Sequence, residues 1–383
     1  MNGAQVRQPV TVRPVTSRRD RSRFLDFQYA HYDASTQFVP EVRRDVAARL
    51  NPKKNPFFEH GDIQPFLAED ATGKVVGRIA AVRNGMHLEK YADGVGFFGF
   101  YECVEDASVS RALLDAAATW LREQGLTAMR GPANPSLNDI AGLLVNGFDR
   151  FPFIMMPYNH LFYKDQLEAY GFQRVMTMWA YYAHYKYVDT DKLIRGIEII
   201  KRRNPGLTLR EMDITRFDEE AERVLDIYNR AWSKNWGHVP MTAAEFAHLA
   251  KEMKQIVDPR LVFFAELNGD PIGFSLSLPN TNRWLKGIKG GRLFPSGLLK
   301  ILLRATIVHP MECRNLLMGV VPEHQSKGIY ALLNATLIRR APELGYEAGE
   351  LSWVLDSNHA MKNALEAQNS VIDKEYAMYE VAL

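Results

Sequence analysis

The length and composition of the chain indicate a folded protein with more than one domain. It has 383 residues, which exceeds what a single hydrophobic core usually organises. Hydrophobic residues make up 46% and charged residues 24% of the sequence, a balance that excludes a disordered chain. The formal net charge of +2 argues against a protein built mainly to bind nucleic acid.

Cysteine usage and hydropathy narrow the class further. The two cysteines, Cys103 and Cys313, are too few for a disulfide scaffold and lack the spacing of a metal site, so we expect no metal. No apolar run approaches the roughly 20 residues that a membrane-spanning helix needs, and the polar N-terminus lacks the apolar core of a signal peptide. We therefore expect a cytoplasmic protein with reduced, packed thiols and no integral membrane segment.

The first half of the chain predicts a mixed order of strands and helices. Alternating apolar residues predict strands, and apolar residues three or four apart predict helices. In chain order these are a strand at 10–15, a helix around 24–32, a hairpin over 65–84, a strand, turn, helix and strand over 96–132, an insertion over 130–163, and a helix and strand over 163–182.

The second half repeats this order, which indicates a duplicated domain. Gly125 and Gly345, which end the long helix of each half, lie at nearly the same distance after Leu114 and Leu333. The repeated elements are a strand at 207–212, a helix at 219–232, a hairpin over 261–279 that turns at Asn-Gly-Asp, a strand, turn, helix and strand over 314–353, and a helix and strand over 359–381.

The most informative segment is Met318–Leu333, which reads as a strand, a short polar turn and a helix. Its turn carries Gln325 and Gly328 in a Q-x-x-G pattern, followed by Tyr330. With the order of elements around it, this segment resembles the GNAT superfamily of acyl-CoA-dependent acyltransferases. The family pattern Q/R-x-x-G-x-G/A fits Gln325 and Gly328, whereas Tyr330 stands where the family usually has glycine or alanine.

The resemblance implies an α/β fold with a mixed sheet and two tandem acyl-CoA N-acyltransferase domains. The domains are predicted at 1–188, with the insertion at 130–163, and at 207–383, with a linker helix at 189–206. Unpaired N–H groups at a helix N-terminus bind anions, and a glycine lets the backbone approach a phosphate closely. Acetyl-CoA or a longer acyl-CoA is therefore expected against Met318, Val320, Gln325, Ser326, Lys327, Gly328, Ile329, Tyr330 and Asn358.

The matching turn of the first half predicts a lost cofactor site. In the aligned sequences Asp106 stands where Gln325 does, and Val109 stands where Gly328 does. A carboxylate repels phosphate, and a β-branched residue blocks close approach of the backbone. The insertion at 130–163, rich in Gly, Pro, aromatic residues and Met, is then either a wall for the substrate of the second half or a packing surface between the halves.

The resemblance also implies the chemistry, in which an amine attacks the thioester directly. The Val320 N–H is expected to polarise the thioester carbonyl, on a strand that splays near Gly319. The candidate general bases are Glu312, at the start of the strand that holds Val320, and Glu350, in the next strand along the chain. His309 and His324 flank this region and are the alternatives.

The acid that protonates the leaving thiolate is less clearly marked. Many members of the family use a tyrosine a few residues beyond an asparagine, and here Asn358 supplies the asparagine while Leu365 occupies the tyrosine position. Tyr330, Ser357 or His359 are the substitutes, or the thiolate leaves unassisted.

The predicted function is transfer of an acetyl or longer acyl group to a small-molecule amine. Two alternatives stay open, an aminoacyltransferase that uses aminoacyl-tRNA and a non-catalytic acyl-CoA-binding protein. The basic, apolar segment at 282–308 precedes the cofactor strand and suits either core packing or contact with a membrane surface.

Overall fold

The computed structural model describes residues 10–32 and 36–383. The first half of the chain folds into strands and helices in the predicted order. Its strands are β1 (Thr11–Pro14), β2 (Gly61–Glu69), β3 (Val75–Asn84), β4 (Val95–Cys103), β5 (Ala128–Gly131), β6 (Ala133–Asn134), β7 (Ile140–Ala141), β8 (Leu143–Asn146) and β9 (Gln173–His184). Its helices are α1 (Arg18–His31), α2 (Arg43–Arg49), α3 (Gly85–Tyr91), α4 (Ala107–Glu123) and α5 (Tyr163–Tyr170).

The linker and the second half follow the same scheme. The linker is helix α6 (Thr190–Arg203). The strands are β10 (Leu207–Glu211), β11 (Val262–Leu267), β12 (Asp270–Pro279), β13 (Glu312–Val320), β14 (Ala348–Leu355) and β15 (Val371–Ala382). The helices are α7 (Phe217–Ala231), α8 (Ala243–Met253), α9 (Asn282–Leu285), α10 (Gly297–Ile307), α11 (Ile329–Glu343) and α12 (His359–Glu366).

One continuous mixed sheet runs through both halves. Its strand order is β1-β2-β3-β4-β5-β15-β9-β14-β13-β12-β11-β10, and β8 adds to β15. The two predicted hairpins are confirmed as the antiparallel pairs β2–β3 and β11–β12. The fold is therefore the predicted α/β class with a mixed sheet, arranged as two similar halves side by side.

The halves exchange their last strands. Strand β9, which ends the first half in sequence, pairs antiparallel with β14 of the second half, where Tyr182 lies opposite Glu350. Strand β15, which ends the second half, pairs antiparallel with β5 of the first half, where Tyr379 lies opposite Gly131. Because each half completes the sheet of the other, the backbone hydrogen bonds of the sheet tie the two halves into one unit.

Helices pack on the sheet through apolar faces. On α4, Leu113, Leu114, Ala117, Ala118 and Leu121 are fully buried and follow the spacing of one helical face. On α11 the buried face includes Leu332, Leu333 and Leu337. These two helices follow equivalent strands, β4 and β13, so the duplication seen in the sequence extends to the packing of the core.

The strands β13 and β14 part after a short parallel contact. They pair only from Glu312 to Asn315 on β13, opposite Ala348 to Leu351 on β14. Beyond this point β14 continues against β9, and β13 continues against β12. A wedge-shaped opening, here called the β13–β14 opening, therefore lies between the second part of β13 and β14.

Candidate functional site

The turn after β13 presents an uncapped helix N-terminus. The chain passes from Val320 through a 3-10 turn at Pro322–Lys327 to Gly328, whose φ of 78° suits glycine. Within the described chain, no side chain caps α11, and its first intrahelical bond runs from the Leu332 N–H to the Gly328 carbonyl, 3.1 Å. The N–H groups at the start of α11 therefore lack intrahelical partners, which is the arrangement that binds phosphate.

Two contacts hold this turn in place. The Gln325 side chain donates from Nε2 to the Val320 carbonyl at 3.0 Å, which ties the turn to the end of β13. The Asn204 side chain at the end of α6 donates to the Lys327 carbonyl at 3.2 Å. The exposed Ser326 and Lys327 side chains complete the rim of the turn. The residues predicted to bind the phosphates thus lie together on one supported loop.

The N–H of Val320 faces the β13–β14 opening. The neighbouring Val321 N–H donates to the Ile272 carbonyl on the β12 side at 2.9 Å, and successive N–H groups of a strand point to opposite edges. The strand is irregular at Leu316, where the pairing with β12 shifts by one residue. The splay predicted near Gly319 therefore begins earlier, because the parallel contact with β14 ends at Asn315.

Tyr330 lies against the same N–H group. Burial raises the pKa of the Tyr330 hydroxyl, and the nearby backbone N–H of Val320 partly offsets this shift. The residue that departs from the family pattern thus lies in the opening rather than on the outer surface of α11. Met318, the other predicted strand residue, is buried beside it on β13.

A buried cluster of polar side chains lies where β13 and β14 part, and we call it the inner cluster: Arg314, Glu350, Ser352 and Lys374. Ser352 donates from its hydroxyl to Glu350 at 2.7 Å, and Lys374 donates to the other Glu350 oxygen at 3.2 Å. Arg314 donates from Nε to the Ser352 hydroxyl at 2.9 Å. Glu350 is 0% and Lys374 1% exposed, and burial raises the pKa of Glu350 while the Lys374 and Arg314 charges oppose that shift.

Two buried polar groups beside the inner cluster lack partners in the described chain. They are the Tyr376 hydroxyl and the indole N–H of Trp353. The Arg314 guanidinium lies over the Trp353 ring at 5.5 Å. Burial raises the pKa of the Tyr376 hydroxyl, and the charge of Glu350 raises it further. Unpaired buried polar groups are uncommon in folded proteins, so these two are suited to contact a bound polar group.

The insertion of the first half reaches this cluster. Its Ile154 carbonyl accepts from Arg314 at 2.8 Å, and its Met156 sulfur lies 3.4 Å from the Ser352 hydroxyl oxygen. Residue Asn138 at its other end donates to the Val239 carbonyl at 3.1 Å. The insertion therefore packs between the halves, and its apolar side chains lie next to the inner cluster.

The equivalent region of the first half is closed by its own side chains. Asp106 caps α4 by accepting from the Ser108 N–H at 2.7 Å. The Cys103 N–H at the end of β4 donates to the Tyr163 hydroxyl at 2.9 Å, and Tyr163 in turn donates to Glu102 at 2.7 Å. The helix N-terminus and the end of the strand thus both bind side chains of the first half itself.

The sequence alignment of the two turns needs a correction. Asp106 is the residue before α4, so it matches Gly328 before α11 rather than Gln325, and Val109 lies inside α4. The cause is a difference in length, since residues 104–106 connect β4 to α4 whereas residues 321–328 connect β13 to α11. The shorter turn has no room for a phosphate loop.

The remaining predicted residues are engaged elsewhere. Glu312, at the start of β13, pairs with Arg283 at 3.3 Å. Asn358 accepts from the Met361 N–H at 3.1 Å and so caps α12. Leu365 is 1% exposed and packs against Tyr181. Arg314, Ser352 and Lys374 were not predicted, although a charged residue within an apolar strand, as at Arg314 and Lys374, is a usable signal.

A cavity of about 370 Å³ lies away from these residues. It lies between the α3–β4 connection, which includes Asp93, and the segment after α7, which includes Trp236. The Arg130 guanidinium lies over the Trp236 ring at 5.3 Å. The residues that line it in the described structure include none of those predicted for the site. We assign it no role in acyl transfer.

Comparison with known proteins identifies the family. The sequence model of the "Acetyltransferase (GNAT) family" matches residues 221–368. Over nearly its whole length the chain is 34% identical to the bacterial ceramide synthase of Caulobacter vibrioides, covering 98% of both chains, and 31% identical to protein YghO of Escherichia coli, covering 96% of this chain and 94% of YghO.

Solved structures support the same fold. A tandem GNAT protein from the clavulanic acid biosynthesis pathway matches with a TM-score of 0.57 at 12% identity, over 98% of each chain. A GCN5-related glucosamine N-acetyltransferase region of a fungal multi-domain β-N-acetylglucosaminidase matches with a TM-score of 0.58 at 14% identity, over 99% of this chain and 39% of that chain. The chain therefore belongs to the GNAT family of acyltransferases, in its tandem two-domain form.

Proposed function

We propose that this acyltransferase moves a long acyl group from acyl-CoA to the amine of a long-chain base, with one cofactor site in the second half. The observation that best supports an acyl-CoA site in the second half is the uncapped N-terminus of α11 beside the β13–β14 opening. The phosphates would bind the N–H groups at Gly328, Ile329 and Tyr330, with Gln325, Ser326 and Lys327 around them. The open edge of β13 near Met318 and Val320 would take the amide-bearing arm of the cofactor.

The fit of this loop to phosphate rests on its backbone. Gly328 has no Cβ, and a Cβ built there would approach the Ile200 side chain of α6 to 3.1 Å. A larger residue at 328 would therefore both strain the turn and crowd α6. Lys327 adds a positive charge at the rim, which favours an anionic ligand.

The acceptor class is suggested by the relatives and by the lining of the site. The C. vibrioides relative is named a bacterial ceramide synthase, and a ceramide is the amide of a fatty acid with a long-chain amine. In this chain the insertion brings Phe153, Ile154 and Met156 to the inner cluster, and all three are buried. An apolar wall next to a carboxylate suits an amine that carries a long hydrocarbon chain.

The chain's residues divide the proton transfers. Acyl-CoA supplies the thioester whose carbonyl carbon is attacked by the amine. The Val320 N–H donates to the carbonyl oxygen as negative charge develops there. Glu350, whose pKa is raised by burial, accepts the ammonium proton, with Ser352 as the hydrogen-bonded bridge. The Tyr330 hydroxyl, next to the Val320 N–H, gives a proton to the thiolate as the C–S bond breaks, and the phenolate then takes the second proton that the nitrogen loses on becoming the amide.

The choice between Glu350 and Glu312 is open to a direct comparison. Glu350 lies in the inner cluster, whereas Glu312 is held by Arg283 at the start of β13. We expect Glu350→Gln to lower kcat by about 10²-fold or more, the range for loss of a general base, and Glu312→Gln to change it by less than about tenfold. Thermal melts of both variants separate a catalytic loss from unfolding.

The proposed function is tested by product detection. The protein is incubated with acetyl-CoA or palmitoyl-CoA and with either a C18 sphingoid base or ethanolamine, and free thiol and the mass of any amide are recorded. The proposal predicts the N-palmitoyl amide of the sphingoid base as the main product. An amide of ethanolamine alone would contradict the long-chain acceptor, and no amide from any pair would contradict N-acyl transfer.

A further inference from the structure

One helix of the protein turns its apolar side chains to solvent. In α10 the exposed fractions are 60% for Leu299, 55% for Leu302, 53% for Leu303 and 79% for Ile307, and the preceding Phe294 is 75% exposed. Surface helices normally bury their apolar side chains against the protein. A single exposed apolar side chain is common on protein surfaces and needs no explanation. Here they form a stripe along one side of a helix, which does need one.

The segment that carries this stripe is rich in basic residues, of which Arg283 and Arg292 pair with Glu312 and Asp26. Between residues 271 and 311 the sequence contains no Asp or Glu. The Lys and Arg residues in the same stretch are Arg283, Lys286, Lys289, Arg292, Lys300 and Arg304. Lys289 and Lys300 are exposed, so their charges border the apolar stripe on the protein surface.

The helix is held in this outward position by specific contacts. Arg304 donates to the carbonyls of Trp284 and Lys286 at 2.8 and 2.6 Å. The indole N–H of Trp284 donates to the Val308 carbonyl at 2.9 Å. Lys286 in turn donates to the Phe38 carbonyl of the first half at 3.0 Å. The polar side of α10 is thus attached to the protein, and the apolar side stays outside.

Along the chain, α10 and the turn proposed to bind phosphate (residues 321–328, here called the phosphate turn) lie on opposite sides of β13. Helix α10 belongs to the segment between the end of β12 and the start of β13, whereas the phosphate turn follows the other end of β13. At the root of this segment, Asn282 donates to the Pro152 carbonyl of the insertion at 2.9 Å. This contact links the segment that carries α10 to the insertion, which in turn contacts the inner cluster.

We propose that α10, with its flanking lysines and arginines, docks the protein on the surface of an anionic phospholipid bilayer. Leucines that point outward between basic side chains are the pattern of a helix lying in the headgroup region. A second copy of the chain is a poorer occupant, because it would bring the same positive charges into contact. Among the described helices none is long and apolar enough to cross a membrane. This inference rests on exposure and charge and does not depend on the proposed reaction.

The test measures binding to vesicles, not turnover. The full chain is sedimented with vesicles of phosphatidylcholine alone and with vesicles that contain 30% phosphatidylglycerol. We expect the wild type to bind the anionic vesicles and to be released by 0.5 M salt. Leu302→Ser/Leu303→Ser is expected to weaken binding at least about tenfold, since burial of even one leucine is worth that much.

A charge variant and a matched control complete the experiment. Lys300→Glu changes the charge by two units and is expected to weaken binding about 25-fold, at about fivefold per charge. Ile214→Ser removes an apolar side chain that is 40% exposed in a different region and is expected to bind as the wild type does. Failure of the wild type to bind anionic vesicles would overturn the proposal. So would a wild-type dimer in solution that the double variant converts to a monomer, because the face would then be an interface between copies.

Discussion

Replacing Lys374 with methionine is expected to destabilise the protein strongly. Lys374 on β15 reaches over β9 to Glu350 on β14, and both side chains are almost completely buried. In Lys374→Met the Glu350 carboxylate keeps the Ser352 hydroxyl and the charge of nearby Arg314 but loses the cation that bonds to it directly, and Asp373 loses the same partner. Breaking one partner from a buried ion pair costs about 3–5 kcal/mol, because the remaining charge is left uncompensated in a medium that solvates it poorly.

The loss should depend on pH in a defined direction. Burial raises the pKa of Glu350, so the folded protein binds this proton more tightly than the unfolded chain, and stability falls as the pH rises through the folded pKa. Lys374 opposes the rise, and its removal raises the pKa of Glu350 further. The free energy lost in Lys374→Met should therefore be larger at pH 8 than at pH 5, where Glu350 is closer to its protonated form.

Urea unfolding followed by tryptophan fluorescence measures the loss, and two variants serve as controls. Lys362→Met removes the partly exposed pair with Asp356, which is expected to cost less than about 1 kcal/mol. Glu350→Gln/Lys374→Met removes both charges and is expected to recover at least about 2 kcal/mol of the single-variant loss. A loss in Lys374→Met no larger than that in Lys362→Met would refute the reasoning.

Three further substitutions test other parts of the site. A Cβ at Gly319 would collide with the Trp232 ring, so Gly319→Val is expected to lower the free energy of unfolding by about 1–3 kcal/mol. An unchanged urea midpoint would contradict this packing. Asp106→Ala removes the cap of α4 and should lower the free energy of unfolding in urea by about 1 kcal/mol. The acyl-CoA affinity measured by calorimetry should stay the same, and weaker binding would show that the first half holds cofactor. Tyr330→Phe should lower kcat in the thiol-release assay by about 10²-fold with unchanged acyl-CoA affinity, and an unchanged kcat would remove Tyr330 as the acid.

Local sequence patterns were sufficient for most of the elements, although not for α2, α3 and α8, and they did not predict the arrangement of the strands. The hairpins β2–β3 and β11–β12 follow from alternating apolar residues around turn residues. The exchange of β9 and β15 does not, because both are long, largely buried strands of similar pattern, and which neighbour each one pairs with depends on contacts distant in sequence. The proposed boundaries at 188 and 206 divide the sequence, whereas the exchanged strands cross that division in space.

The same distinction applies to the site. The turn before α11 is local, so the sequence was enough to predict a strand, a polar turn and a helix there, whereas phosphate binding by that turn stays a prediction. The alignment failed only in the length of the matching turn of the first half. The inner cluster brings together Arg314, Glu350 and Lys374 from three strands, and Ile154 from the other half. Spacing along the chain does not encode such a set, which is why sequence reasoning found Glu350 and missed its partners.

The central claim is that the chain has one acyl-CoA site, at the turn of Gly328. Titration calorimetry with palmitoyl-CoA, below its micelle concentration, tests it on the wild type and on two aspartate variants. Gly328 and Gly125 have nearly the same φ, 78° and 77°, so Gly328→Asp and Gly125→Asp impose similar backbone strain. Only Gly328→Asp places a carboxylate at the proposed phosphates, and it also crowds Ile200. We predict one molecule bound per chain, unchanged in Gly125→Asp and weakened at least about tenfold in Gly328→Asp by charge repulsion. Two molecules bound per chain, or full affinity in Gly328→Asp, would contradict the account.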